Sequence, residues 1–378
     1  MPSNSGQPVQ RKVAIRPLVL LLLVVAVLLT VGPSLRVTAQ QASPAPLRVL
    51  PVRGNIYVLQ GAGANITLSI GRDGVLVVDT GLAAMAEQVL AVIRRLQDQL
   101  DLRDKPLGGG AETRSSVADR NIESPAKPIR YIINTHVHPD HVGANQVLRR
   151  AGTTFTGGNV TGNISDATEG AAIMAHEAVL TRMTSKDAGA ATPADAQPTD
   201  TYYTDTMKLS HFFNGEGVQL IHQPAAHTDG DTLVWFRGSD VIASGDVFST
   251  TTYPVIDIKQ GGTIDGVVEG LNRILRLSIA EFRTEGGTLI VPGHGRLSDS
   301  ADVAYYRDMV TILRDRVRAM VEKRFTLEQV KAARPTADYD PRYGATSGPW
   351  TTDQFVEAAY VSLGGGKSAP RAVPARSK

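Results

Sequence analysis

The segment His136-Val137-His138-Pro139-Asp140-His141 sets four metal-capable side chains within six positions, directly behind an apolar run at residues 129–134. That run reads as a strand. In extended chain, side chains two apart face the same way, so His136 and His138 converge on one point. Pro139 discourages helical geometry at His138, and the residues beyond it carry the pattern of a helix start. Asp140 and His141 are then available to a neighbouring ion. A polar strand end with scattered imidazoles is the bland alternative, and four ligand types in so short a stretch argue against it.

Three later segments complete the set at positions a tertiary fold can bring together. His227 sits in the polar turn Ala225-Ala226-His227-Thr228-Asp229-Gly230-Asp231, Asp246 follows a strand in Ala243-Ser244-Gly245-Asp246, and His294 lies among glycines in Val291-Pro292-Gly293-His294-Gly295. Each is at a strand end, where loops carry function on a rigid scaffold. Taken singly, His294 reads as an ordinary loop residue and Asp246 as a turn or cap. The chain has no cysteine, which excludes thiolate ligands and cysteine nucleophiles. His176 falls in an expected helical run at 173–183 and reads as structural, His222 ends a strand, and His211 has no motif around it. Phe212, Phe213, Tyr253 and Trp350 read first as core aromatics.

At 378 residues, 42% hydrophobic and 20% charged, the chain has ordinary globular composition and length enough for a sizeable core. Its formal charge is +2, yet residues 1–39 hold Arg11, Lys12, Arg16 and Arg36 and no acid, so the remainder is net negative. This balance gives no support to nucleic-acid binding, and a small-molecule substrate is the expected partner. The basic start, an apolar stretch at 18–29 and the small residues Val37-Thr38-Ala39 follow the order of a secretory signal peptide. We therefore expect a signal peptide at 1–39, a mature chain from near Gln40 and a periplasmic or secreted location. The apolar stretch is shorter than the roughly 20 residues that span a bilayer, so no stable membrane insertion is expected after cleavage; an uncleaved anchor is the alternative.

A linker at 40–47 leads into strand signals at 48–52, 55–59, 65–70 and 74–79, which form a meander punctuated by Arg53-Gly54 and Arg72-Asp73-Gly74. Residues 82–100 have helical spacing, 104–127 read as a surface insertion, and 129–134 as the next strand. Further helices are expected near 170–183, 264–277 and 302–323, with strands near 218–222, 232–236, 241–244 and 288–291. Residues 185–204 are expected to form a flexible loop near the mouth of the site. The organisation is an α+β domain of layered sheets at 48–325, a C-terminal helical extension at 326–363 and a disordered tail at 364–378. No oligomeric state follows from these signals.

Together, His136-Val137-His138-Pro139-Asp140-His141, His227, Asp246 and His294 resemble the metallo-β-lactamase superfamily across residues 48–325. The resemblance implies an αββα sandwich with metals in a cleft along one sheet edge. It implies a first ion held by His136, His138 and His227, a second held by Asp140, His141 and His294, and Asp246 bridging them. Residues 75–79 with Thr80-Gly81 resemble the family's early strand-end motif. Asp79 is thus a candidate to orient a ligand from behind, with helix capping as its alternative role.

Two ions in one site point to hydrolysis. Bound zinc lowers the pKa of water to about 7, so a water between two ions becomes hydroxide at neutral pH and no Ser, Cys or Lys nucleophile is required. Asp140 is the candidate catalytic residue, orienting that hydroxide. Nitrogen and oxygen ligands suit two Zn2+ best, with manganese or iron also compatible. The expected reaction is cleavage of an ester, thioester, lactone or related bond. Within the superfamily, the export signal, Tyr253-Pro254-Val255-Ile256-Asp257 and the stretch from Gly293 to Val317 look similar to periplasmic zinc hydrolases found beside quinoprotein and sulfur-oxidation systems. An exported class B β-lactamase is one alternative, although one group of those enzymes carries Cys where this chain has Asp246. An iron-dependent persulfide dioxygenase, with two His and an Asp at a single iron, is another; the complete second set favours two metals. Binding without catalysis would not need every ligand of such a centre.

Overall fold

The computed structural model describes residues 46–104, 128–153, 170–185, 192–209, 212–279 and 286–365. The expected signal peptide, His211 and all but one or two residues of each of the expected linker, insertion and tail lie outside the described residues. The N-terminal meander is β1 (Arg48–Arg53), β2 (Ile56–Ala62), β3 (Ala64–Gly71) and β4 (Gly74–Val78), paired antiparallel in sequence order. Beside it β5 (Ile129–Ile133), β6 (Ala172–His176) and β7 (Asp200–Tyr202) continue the sheet in parallel. The second sheet contains β8 (Thr206–Lys208), β9 (Val218–Gln223), β10 (Asp231–Phe236), β11 (Val241–Ala243), β12 (Leu289–Val291) and β13 (Ser298–Asp299). Its order is β13-β12-β11-β10-β9-β8, with β11 and β12 parallel and the other pairs antiparallel.

Helices cover both outer faces. They are α1 (Ala86–Asp104), α2 (Pro139–Val142), α3 (Asn145–Arg150), α4 (Glu177–Thr184), α5 (Ile264–Leu277), α6 (Ser300–Glu322), α7 (Leu327–Ala332), α8 (Asp340–Tyr343) and α9 (Thr352–Ser362). Period-two alternation sorts the strand side chains between layers. In β4, Leu76 and Val78 join Ile133, Val234 and Phe236 between the sheets, whereas Val75 and Val77 meet Val89 and Ile93 of α1. In β10, Leu233 turns the other way, toward α5 and α6. The buried face of α5 repeats Ile264, Val267, Leu271 and Ile274 at helical spacing. The layers are therefore those of the expected αββα sandwich. Among the described residues no helix is long and apolar enough to cross a membrane.

Three sequence expectations are corrected. The extended chain expected to carry His136 and His138 ends at Ile133, and residues 135–137 form a bend in which the two rings lie edge to face, centres 4.9 Å apart. A strand replaces the first half of the helix expected at 170–183. β6 is buried throughout and lies between parallel neighbours, so it reads as a continuous apolar run with no alternation to distinguish strand from helix. His176 accordingly ends a strand and caps α4, its Nδ1 accepting from Ala178 N at 3.3 Å. The segment 185–204 is also more than a loop in its described part. A 3-10 turn at Ala194–Ala196 leads into β7, and Thr199 N donates to Ile173 O at 2.8 Å, extending the first sheet. Of the four noted aromatics, Phe213 and Tyr253 are buried, Trp350 packs on the core and Phe212 is exposed.

The C-terminal helices share one apolar cluster with α5 and α6: Val330, Tyr343, Phe355, Val356 and Ala359 pack with Leu271, Tyr306 and Leu313. Phe355→Ala should therefore destabilise the protein by about 3–5 kcal/mol in urea denaturation. Val361→Ala, on the exposed side of the same helix, should change stability by less than about 0.5 kcal/mol. Equal, small effects would show that α9 is not integral to the core.

Candidate metal centre

Strand direction gathers the candidate ligands. β4 and β5 are parallel, β9 and β11 are each antiparallel to β10, and β12 is parallel to β11. The C-terminal ends of β4 and β5 therefore lie together in the first sheet and those of β9, β11 and β12 in the second, and the candidate ligands meet at one edge of the sandwich. Asp79 follows β4, His136 and His138 follow β5, His227 follows β9, Asp246 follows β11 and His294 follows β12. Pro139 occupies the first turn of α2, where its missing N–H costs nothing, and this turn carries Asp140 and His141. Thr232 N donates to Thr135 O and Asn65 N to Gly293 O, each at 2.8 Å, tying the sheets together beside the site.

All seven residues singled out from the sequence come together. Ligand atoms of His136, His138, His227 and Asp246 lie within 4.8 Å of one another, and so do those of Asp140, His141 and His294. His176 and His222 belong to neither group; they stack on each other with ring centres 3.6 Å apart.

Hydrogen bonds behind the histidines determine which nitrogen is free. His227 Nδ1 lies 2.7 Å from the Val255 carbonyl, which only accepts, so this nitrogen carries the proton. His138 Nε2 donates to Asp257 Oδ2 at 3.0 Å, and that bond holds the Asp257 carboxyl below its usual pKa. His141 Nδ1 donates to Asp79 Oδ2 at 2.7 Å. Thr135 Oγ1 gives its hydrogen to Asp79 Oδ2 at 2.7 Å and accepts from His136 Nδ1 at 3.1 Å. The nitrogens left as acceptors are therefore His136 Nε2, His138 Nδ1, His141 Nε2 and His227 Nε2 when these rings are neutral. Of these, His138 Nδ1 and His227 Nε2 face each other at 2.9 Å, an approach of two lone pairs that a cation makes favourable.

Burial and charge favour a cation here. His136 Nε2, His141 Nε2 and Asp246 Oδ1 are buried without a hydrogen-bond partner. Burial, reinforced by the neighbouring imidazoles, holds His136 well below its ordinary pKa, and burial lowers His227 to about 4, so both present lone pairs at neutral pH. The second group behaves oppositely. Burial would lower His141 and His294, but the carboxylates of Asp246 and Asp79 raise His141 well above its ordinary value, and those of Asp140 and Asp246 raise His294 to about 9. The cluster thus has a deficit of positive charge. The residues fit divalent ions, whose charge meets the same demand that otherwise draws protons to His141 and His294.

Several supporting residues carried no sequence signal of this role. Asp257 and the Val255 carbonyl lie in the stretch Tyr253 to Asp257, which stands out in the sequence only by resemblance, on a separate loop with no fixed spacing from the histidines they hold. Thr135 adjoins His136, but a hydroxyl neighbour is too common to single out. Asn145 is wholly buried and bonds reciprocally with Asn134, Nδ2 to Oδ1 at 2.8 Å and back at 3.1 Å, fastening the strand end to α3. Backbone geometry is equally specific. Asp79 has φ +61°, and Gly245 has φ +51° with no room for a side chain, since a Cβ would lie 2.6 Å from Thr135 Oγ1.

A family model described as the metallo-beta-lactamase superfamily matches residues 53–294, a stretch that contains all seven ligand candidates. The chain belongs to the metallo-beta-lactamase superfamily. Solved structures similar to this superfamily member include the stereoselective inverting sec-alkylsulfatase Pisa1 from Pseudomonas sp., at 13% identity and TM-score 0.52, covering 85% of this chain and 51% of that one. The chain therefore spans about half the length of the alkylsulfatase. DIM-1 metallo-beta-lactamase is 15% identical at TM-score 0.47, covering 70% of this chain and 97% of that one. A metallo-beta-lactamase from Pontibacter korlensis is 13% identical at TM-score 0.47, covering 70% and 99%. At 13% identity the likeness to the alkylsulfatase is one of fold alone. A comparison with curated protein sequences finds no match.

Gly293 leaves room for the Asp246 carboxylate, since a Cβ there would overlap Asp246 Oδ1. Gly293→Ala should weaken zinc uptake about 10-fold or more, measured by chelator competition. Gly215→Ala meets no neighbouring atom but has φ +88°; it should cost about 1 kcal/mol of stability and leave zinc affinity unchanged. Wild-type affinity in Gly293→Ala would show that Asp246 is not held as described.

Proposed function

We propose that this superfamily member is a dinuclear metal-dependent hydrolase, with Zn2+ as the preferred ion, that cleaves an ester, thioester, lactone or related bond. The position of Asp246 carries the reading. Its Oδ1 lies 3.2 Å from His141 Nε2 and 3.5 Å from His294 Nε2, while Oδ2 lies 3.7 Å from His227 Nε2. A carboxylate facing both groups suits two ions side by side. Such a pair, when bound, supplies Lewis acidity at two adjacent points and an acidified water.

The protein's own groups have distinct tasks. The His136, His138 and His227 rings are kept in one tautomer by Thr135, Asp257 and the Val255 carbonyl, so no reorientation is needed on binding. Asp246 is nearly buried, at 9% side-chain exposure, whereas Asp140 is 29% exposed with Oδ2 3.2 Å from His294 Nε2. Asp140 is therefore the cluster carboxylate open to solvent, suited to orienting an incoming water and accepting its proton. The complete group of Asp140, His141 and His294 favours two ions over oxygenation at a single iron.

The test pairs metal analysis with kcat/KM values for activated esters, thioesters, lactones, phosphoesters, sulfate esters and β-lactams. We expect one of the ester, thioester or lactone substrates to lead, activity to vanish on chelation, and Asp246→Ala to lower kcat/KM by about 10²–10³-fold. β-Lactam turnover above about 10⁴ M⁻¹s⁻¹ and above every ester would establish a β-lactamase instead. Oxygen consumption with a persulfide would establish a dioxygenase.

A further inference from the structure

The loop that follows the Asp246 turn touches two of the histidines from behind. Val255 O accepts from His227 Nδ1 at 2.7 Å, and Asp257 Oδ2 accepts from His138 Nε2 at 3.0 Å. Asp257 N also donates to His227 O at 3.0 Å, so this short stretch fixes both the ring and the backbone of His227. Residues 254–257 form neither helix nor strand.

Asp257 caps the turn after it, its Oδ1 accepting from Gln260 N at 3.1 Å and its carbonyl from Gly262 N at 2.8 Å; the other holding contacts come from the helical layer. Tyr253, immediately before the stretch, is 1% exposed and stacks on Phe355 of α9, with ring centres 4.8 Å apart and planes 11° from parallel. Its hydroxyl reaches Asp340 Oδ1 at 2.9 Å and the Thr336 carbonyl at 3.2 Å. Burial and the Asp340 carboxylate push the Tyr253 pKa up, so the hydroxyl remains a donor. Tyr306 of α6 donates to Thr252 O at 2.9 Å, and α9 packs on the 3-10 turn Ile258–Gln260 beyond Asp257. The stretch is thus clamped at both ends by helices outside residues 53–294.

We infer that Tyr253 is a positioning residue for the metal centre, its hydroxyl bond to the Thr336–Asp340 segment holding the Val255 carbonyl and Asp257 carboxylate against His227 and His138. The inference rests on the reading of the cluster as a metal site. It assigns the C-terminal helices a part in metal affinity although none supplies a ligand candidate. Contacts behind metal-binding histidines commonly change affinity 10–100-fold. A strut acting on two of them through backbone and side chain belongs near the lower end.

Tyr253→Phe keeps the stacking on Phe355 and removes only the hydroxyl. Tyr360→Phe is the control: Tyr360 lies in the same apolar cluster, and its hydroxyl donates to Phe325 O at 2.9 Å, away from the site. Zn2+ affinity of the full chain would be measured by chelator competition after metal removal, alongside the melting temperature of each metal-free protein. We expect Tyr253→Phe to raise the Zn2+ dissociation constant of the tighter site about 10-fold and Tyr360→Phe to leave it at the wild-type value, with similar losses of melting temperature. If Tyr253→Phe does not fold, Asp340→Ala tests the strut from its far end, with a smaller rise expected. Wild-type affinity in the hydroxyl variant, or in Asp340→Ala where that stands in for it, overturns the inference and leaves the metal reading intact. Failure of the wild-type chain to bind Zn2+ overturns both.

Discussion

The Asp79 carboxylate is the point on which the site is assembled. It accepts Thr135 N at 2.8 Å, Thr135 Oγ1 at 2.7 Å and His141 Nδ1 at 2.7 Å, so one side chain at the end of β4 orders the end of β5 and the first turn of α2. Buried polar groups persist only when paired, and here pairing and positioning are the same contacts. The left-handed backbone of Asp79, held by its N–H bond to Ile133 O at 2.8 Å, aims the carboxylate across the strand end. Behind it, the Thr80 hydroxyl donates to Asn145 Oδ1 at 3.0 Å, adding a second tie to α3.

From the opposite side the helices covering the second sheet hold His138 and His227 through the stretch after Tyr253. The two supports are physically different. The sheet side uses side chains at parallel strand ends, where the register of β4 against β5 sets the distances. The helix side uses an irregular stretch whose conformation is set by buried tyrosines and aromatic stacking. Between them, the cluster gathers carboxylates and imidazoles whose charges do not balance internally, which is the electrostatic reason that cations belong there.

The ligand candidates were legible because four ligand types crowd one hexad and its proline marks a helix start, although His136 and His138 meet through a bend beyond β5 and not through strand alternation. The helix α5 was legible because its apolar face repeats every third or fourth residue. The strand β6 was not, since burial on both faces erased the period, and β7 is too short to carry one. The orienting groups were the least legible part of the site. A backbone carbonyl such as that of Val255 has no sequence signature, and Asp257, although it lies in a segment that stands out by resemblance, shows its role only when the fold brings it against His138. Asp79 stood out through a family-like strand end, yet its two possible roles were separable only by geometry.

Zinc-edge anomalous diffraction from crystals of the metal-loaded protein tests the central claim most directly, because it locates the ions without reference to activity. The account predicts two peaks per chain: one facing His136 Nε2, His138 Nδ1 and His227 Nε2, the other among Asp140, His141 Nε2 and His294, with Asp246 between them. A single peak at full occupancy, or ions bound away from these residues, would contradict it.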